Sequence, residues 1–141
     1  IVFGDWSSDV CSSDLGFVPY NQVSDLFMKA DLFVMSSAVH STGDRDGLPT
    51  VILEALAHRI PVVSTDVCGI PEVIRNGETG FLVSQKNPPE LAQAMEEMLK
   101  DRDRALQMAE RGRELVLREF DPQRTHKQVY DLLMQSLEKR R

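Results

Sequence analysis

Asp46 and Glu54 stand eight positions apart, the first at the end of a polar loop and the second inside an apolar stretch. That spacing lets one carboxylate face the loop and the other the ligand side of a helix that Pro49 opens. Between them, Gly47 lets the backbone approach a ligand closely. The start of the helix offers unpaired N–H groups and a partial positive charge, a natural seat for a phosphate. Each residue also has a plainer reading. Asp46 could simply form a turn or a cap. Glu54, set among Val51, Ile52, Leu53, Ala55, Leu56 and Ala57, could lie on a narrow solvent stripe, because a charge there is costly unless paired or reaching a cleft. The residue types alone leave both open.

Strands alternating with helices are expected to position these groups. A strand end and its exit loop are expected at residues 16–19. A helix capped by Asn21 runs to about Ala30, with Val23, Leu26, Phe27 and Ala30 on one face. The apolar run 31–36 suits a strand buried on both faces, and a long loop, 37–48, leads to the helix from Thr50 to His58. A strand at 60–65, a loop containing Gly69, a short helix at 72–75, a turn at Asn76-Gly77 and a strand at 80–83 follow. A helix begins at Asn87-Pro88-Pro89-Glu90, and two amphipathic helices at 102–119 and 122–138 close the chain. The pattern implies an α/β class: a partial, Rossmann-like parallel sheet of three strands with a helical C-terminal tail. Ligands of such sheets bind outside the carboxyl ends of the strands. Three loops leave such ends, 18–20, 36–48 and 64–70, and the second is the richest.

The 141 residues suffice for one domain. With 42% apolar and 27% charged residues the composition is that of an ordinary globular chain. The net charge of −6 argues against a nucleic-acid module. No secretory signal and no run long enough to span a membrane is visible. Residues Asp5 to Leu15, DWSSDVCSSDL, resemble the in-frame translation of a widely used sequencing adapter, so residues 1–15 are set aside as a non-native lead. Half of the net charge comes from Asp5, Asp9 and Asp14, and with Trp6 and Cys11 excluded the remainder has a single cysteine, Cys68. No internal disulfide is then possible, which fits a reducing, cytoplasmic compartment.

The run Asp46-Gly47-Leu48-Pro49-Thr50-Val51-Ile52-Leu53-Glu54-Ala55-Leu56-Ala57, followed by Ile60-Pro61-Val62-Val63-Ser64-Thr65, resembles the donor-binding motif of family 4 retaining glycosyltransferases of the GT-B fold. Residues 31–37, 69–74 and 77–83 resemble the family in order and with its gaps. The family's Glu-x7-Glu motif has Asp46, a shorter carboxylate, in its first position. The resemblance implies that residues 16–141 are part of the C-terminal, nucleotide-sugar-binding domain. It implies transfer of a glycosyl group from a nucleoside diphosphate sugar to a glycan or lipid-linked acceptor, with retention of configuration. Glu54 would accept hydrogen bonds from the ribose, and Asp46 from the donor sugar. Backbone N–H groups around Gly47, Leu48, Thr50 and Val51 would face the sugar and diphosphate. Phe17 and Val18 would lie near the base, and Gly69 would border the cleft. No cofactor and no obligatory metal is implied. The family's basic residues for the diphosphate and its acceptor domain precede Gly16, so the chain alone is expected to be inactive.

His40, His58 and His126 have no metal-ligand spacing. His40 could contact donor or acceptor or be a plain loop residue, and His58 is expected to end its helix. Arg45 could approach a phosphate or stay in solvent. Cys68 has no base beside it. Met95, Met98 and Met108 read as core. Lys139-Arg140-Arg141 could touch anionic lipid, a peripheral membrane contact, or be a solvated helix end. Neither Gly-x-Gly-x-x-Gly nor a Walker loop is present. The alternative is a non-catalytic α/β nucleotide-binding or interaction module, which predicts an exposed Glu54 and no affinity for nucleotide sugars.

Overall fold

The computed structural model describes residues 2–3, 18–39 and 47–139. Four parallel strands form one sheet in the order β1 (Val2–Phe3), β2 (Phe33–Met35), β3 (Val62–Thr65) and β4 (Phe81–Val83). Six helices accompany them: α1 (Tyr20–Lys29), α2 (Thr50–Ala57), α3 (Ile70–Val73), α4 (Pro88–Lys100), α5 (Arg102–Glu119) and α6 (Pro122–Glu138).

Three strands are expected from the sequence, and the structure adds a fourth. Val2 pairs with Val34 and Phe3 with Met35, so two residues of the discounted lead complete the open edge of β2. A β-branched and an aromatic residue are of types that favour strands. Val18 and Pro19 are not in a strand, and Gly16 and Phe17 lie outside the described residues. The cap of α1 also differs from expectation. Asn21 is already inside the helix, and Pro19 stands at the cap with its carbonyl accepting from Gln22 N at 2.8 Å. Its ring fixes φ at −58°, so the turn starts before Asn21 is reached. The limits of α5 and α6 agree with the sequence expectation.

Strand order follows chain order, so the right-handed crossovers carry α1, α2 and α3 to the same face of the sheet. Phe27, Ile52, Leu56, Ile70 and Ile74 meet Phe33 and Val62 there. On the opposite face Met98, Ala105 and Met108 cover Val34, Val63 and Val83. Alternation along β2 and β3 divides the two cores, because neighbouring side chains point to opposite faces. The last turns of α5 bring Leu115 and Val116 into the first core. Gly112 permits the close crossing of α5 with α2: a Cβ there would stand 2.6 Å from Leu56 Cδ2. No residue of α6 is buried.

Two glycines and one threonine fix the return from α3 to β4. Gly77 takes φ +76° at the expected turn. Thr79, 1% exposed, donates from Oγ1 to Val73 O and accepts from Arg75 N, both at 2.8 Å. At Gly80 a Cβ would lie 2.6 Å from Val62 O, so only glycine lets the chain enter β4 against β3.

Candidate functional site

The carboxyl ends of β2, β3 and β4 lie together, and the chains leaving them are tied to one another. Ser64 Oγ donates to Met35 O at 2.8 Å, and Thr65 Oγ1 donates to Ser37 O at 2.6 Å. Asp66 N donates to Val83 O at 2.8 Å. Val39 N donates to Gln85 Oε1 at 2.9 Å. The loop after β3 is clasped to the entry of α2: Gly69 N donates to Gly47 O at 3.0 Å. A Cβ on Gly69 would stand 3.2 Å from both Gly47 O and Leu48 Cβ, closer than ordinary van der Waals contact.

Gly47 is exposed, and a Cβ built there meets nothing within 4 Å. Its φ is not in the left-handed region. Neither backbone strain nor crowding therefore calls for glycine at this point. Pro49, with φ −62° and ψ 116°, stands at the cap of α2, one position ahead of the expected first helical residue. No side chain caps the helix, and its first bond is Ile52 N to Pro49 O at 3.1 Å. Among the described residues, the amides of Leu48, Thr50 and Val51 have no acceptor. Such orphan donors are satisfied by water or by a ligand.

The charge at the two ends of α2 is arranged to favour an anion at its start. The first turn holds no acidic residue. At the far end His58 Nδ1 lies 2.8 Å from Glu54 O, and Arg113 Nε donates to Ala57 O at 3.2 Å. The Arg113 guanidinium at this C-terminus complements the dipole there, and the N-terminal end keeps its positive potential for a ligand. Arg113 and Arg59 both pair with Glu110 of α5, which anchors this end of α2.

Glu54 is half-buried, and its carboxylate makes no hydrogen bond or ion pair with another described residue. The buried side of α2 is Ile52, Ala55 and Leu56. Residues three and four apart are neighbours on a helix surface, so Glu54 shares a face with Thr50 and Val51. The Cα–Cβ bonds of a helix tilt toward its N-terminus, which leans Glu54 toward the unpaired amides. A carboxylate one turn along from a cluster of free N–H groups can hold hydroxyls while the amides hold an anion.

Of the residues singled out from the sequence, the structure thus brings together Gly47, Leu48, Thr50, Val51, Glu54 and Gly69. Val18 is half-buried immediately ahead of α1, and no hydrogen bond among the described residues joins it to that group. Phe17 and Asp46 lie outside the described residues, as do His40 and Arg45. Cys68 is an exposed thiol in the left-handed region, φ 54°. Met98 and Met108 are buried in the core and Met95 packs against it, as expected. Lys139 is exposed at the end of α6. Among the described residues no group of three or more His, Cys, Asp or Glu side chains is placed to hold a metal ion. Nor is any helix among them long and apolar enough to cross a membrane.

Sequence reasoning gave no role to Ser64, Thr65 or Gln85. Two polar residues closing an otherwise apolar run, Ile60 to Val63, are a local signal for the first two. Both are buried, at 0% and 3% exposure. Nothing in the sequence around Gln85 marks it.

Residues 14–115 match the model of the family described as glycosyl transferases group 1. The protein WcaL of Salmonella typhimurium, assigned as a glycosyltransferase of colanic acid biosynthesis, is 36% identical over 119 residues. These cover 84% of this chain and 29% of WcaL. The amylovoran biosynthesis glycosyltransferase AmsK of Erwinia amylovora is 27% identical over 92% of this chain and 32% of its own length. This chain therefore spans less than a third of either relative. Among solved structures, the sucrose-phosphate synthase of Thermosynechococcus elongatus superposes with a TM-score of 0.77 at 25% identity, over 89% of this chain and 30% of that one.

Proposed function

Because the chain belongs to the group 1 glycosyl transferases, we propose that it is the donor-binding part of an enzyme that moves a glycosyl group from a nucleoside diphosphate sugar to a glycan or lipid-linked acceptor. The observation that carries this reading is the rim formed by α2: unpaired amides at its start, with the unpartnered Glu54 on the same face. The diphosphate sits at the amides of Leu48, Thr50 and Val51, where the dipole of α2 stabilises the charge that grows on the leaving group. Glu54 accepts hydrogen bonds from the ribose. Asp46, next to Gly47 in the chain, accepts from hydroxyls of the donor sugar. Phe17 and Val18 lie toward the base, and Gly69 closes the border of the cleft. The bond from the anomeric carbon to the diphosphate oxygen breaks, its electron pair leaves with the diphosphate, and the acceptor hydroxyl oxygen bonds the same carbon with retained configuration as its proton passes to the departing diphosphate.

No divalent metal is needed in this scheme, since backbone dipoles supply the positive potential. The acceptor is held by parts of the enzyme outside these residues, and the chain alone binds donor without transferring it. The enzyme works in a reducing, cytoplasmic setting in which Cys68 stays a thiol. Lys139 and the two arginines after it in sequence face an anionic membrane surface that presents a lipid-linked acceptor.

Titration of the 141-residue chain with UDP-glucose, GDP-mannose, UDP and GDP, with EDTA and with Mg2+, tests the reading. At least one sugar nucleotide is expected to bind equally in both conditions. Hydrogen bonds to a carboxylate contribute about 1.5–3 kcal/mol each, so Glu54→Ala should weaken binding by roughly 10- to 100-fold. Binding by none of the four, or undiminished binding by a folded Glu54→Ala variant, rejects the assignment.

A further inference from the structure

β2 ends at Met35 in the backbone ladder, yet its path is continued by side chains. Met35 O, Ser37 O and Val39 N are bound in turn by Ser64 Oγ, Thr65 Oγ1 and Gln85 Oε1. These are alternate residues, as along one edge of a strand. The hydroxyls of β3 and the amide of the β4–α4 turn therefore do for residues 36–39 what a neighbouring strand would do. Two of the three ties hold segments beyond the ladder: Thr65 reaches Ser37 and Gln85 reaches Val39. On the other side of β3's exit, Gly69 is bonded to Gly47 at the start of α2. Ser37 and Gly47 are thus both referenced to the same short stretch, 65–69, while Val39 is held from Gln85 in the β4–α4 turn.

We propose that Thr65 and Gln85 are positioning residues for the donor cleft, acting through the backbone of residues 37–39. The assignment rests on the donor-binding reading above. A valine at position 65 would fill the same buried space and keep the strand, but Ser37 O would lose its donor. Removal of Gln85, on an exposed turn, costs the core nothing and frees Val39 N. In both cases the chain leaving β2 loses its register with the start of α2, and the cleft is no longer preorganised.

The test uses the 15N-labelled 141-residue chain with the substitutions Thr65→Val, Thr65→Ser and Gln85→Ala, read by amide exchange at Val39 and by titration with UDP-glucose and GDP-mannose. One lost hydrogen bond should weaken the sugar nucleotide by about 3- to 10-fold in Thr65→Val and in Gln85→Ala, with faster exchange at Val39. Thr65→Ser should restore both. Glu54→Ala should weaken binding while leaving Val39 exchange unchanged, which separates contact from positioning. Binding that is undiminished in Thr65→Val and Gln85→Ala overturns this assignment alone, as does a loss in Thr65→Val that serine does not rescue. Failure of the wild-type chain to bind either sugar nucleotide overturns the donor-site reading and this assignment with it.

Discussion

Replacing Gly47 by alanine separates a glycine kept for the fold from one kept for a ligand. A Cβ at this position meets nothing within 4 Å, and the backbone is not in the left-handed region. The folded state therefore accepts the methyl group without cost, while the unfolded chain loses freedom, a stabilisation of about 0.4–1 kcal/mol. For a domain of this size that raises the melting temperature by roughly 1–4 °C. Binding should move the other way. Phosphate oxygens held by the amides beside Gly47 sit about 2.9 Å from nitrogen, and a methyl group that pushes them out by an ångström breaks those bonds. Two or three charge-assisted bonds weakened together correspond to a loss of at least about tenfold. Differential scanning calorimetry and a sugar-nucleotide titration on the same preparations give both numbers. A variant that melts several degrees lower, or one that binds like wild type, refutes the reasoning.

Three further outcomes follow from local geometry. Gly80→Ala drives a Cβ to 2.6 Å from Val62 O, a backbone atom that cannot turn aside, so the urea midpoint should fall by an amount equivalent to about 1–3 kcal/mol. Cys68→Gly removes a side chain from φ 54°, where non-glycine residues store about 1 kcal/mol or more, and should raise stability by about that amount in the same assay. Arg118, whose Nε lies 2.8 Å from Glu119 Oε1, holds that carboxyl below its usual range, with Arg124 and Arg75 adding to the effect. A folded-state value below the unfolded one means that the pair's contribution is present above the unfolded value and disappears as pH falls through the folded one. Arg118→Ala should therefore shift the Glu119 carboxyl resonance titration, followed by NMR, to higher pH.

The alternation of strands and helices, the parallel sheet and the limits of α5 and α6 were legible because they rest on local signals. Apolar runs of strand length, helical spacing and start signals such as Asn87-Pro88-Pro89-Glu90 each act within a few residues. The start of α1 was misread by one such signal, because Pro19 outcompetes Asn21 for the cap. Residues 2–3 could not be read as a strand at all, since two residues carry no periodicity and gain their place only from the open edge of β2.

For the candidate site, the sequence by itself determined the carboxylate at Glu54, the glycine at Gly47 and the helix that follows Pro49. Their types and spacing place an acidic group and free amides on one helix face. Only the tertiary structure decided what meets that face. The clasp of Gly69 on Gly47, and the ties of Thr65 to Ser37 and Gln85 to Val39, join positions up to 46 residues apart. A side chain bonding a distant backbone atom leaves no periodic mark, because any polar residue of the right reach will serve. Its partner is chosen by where the sheet brings the two chains together.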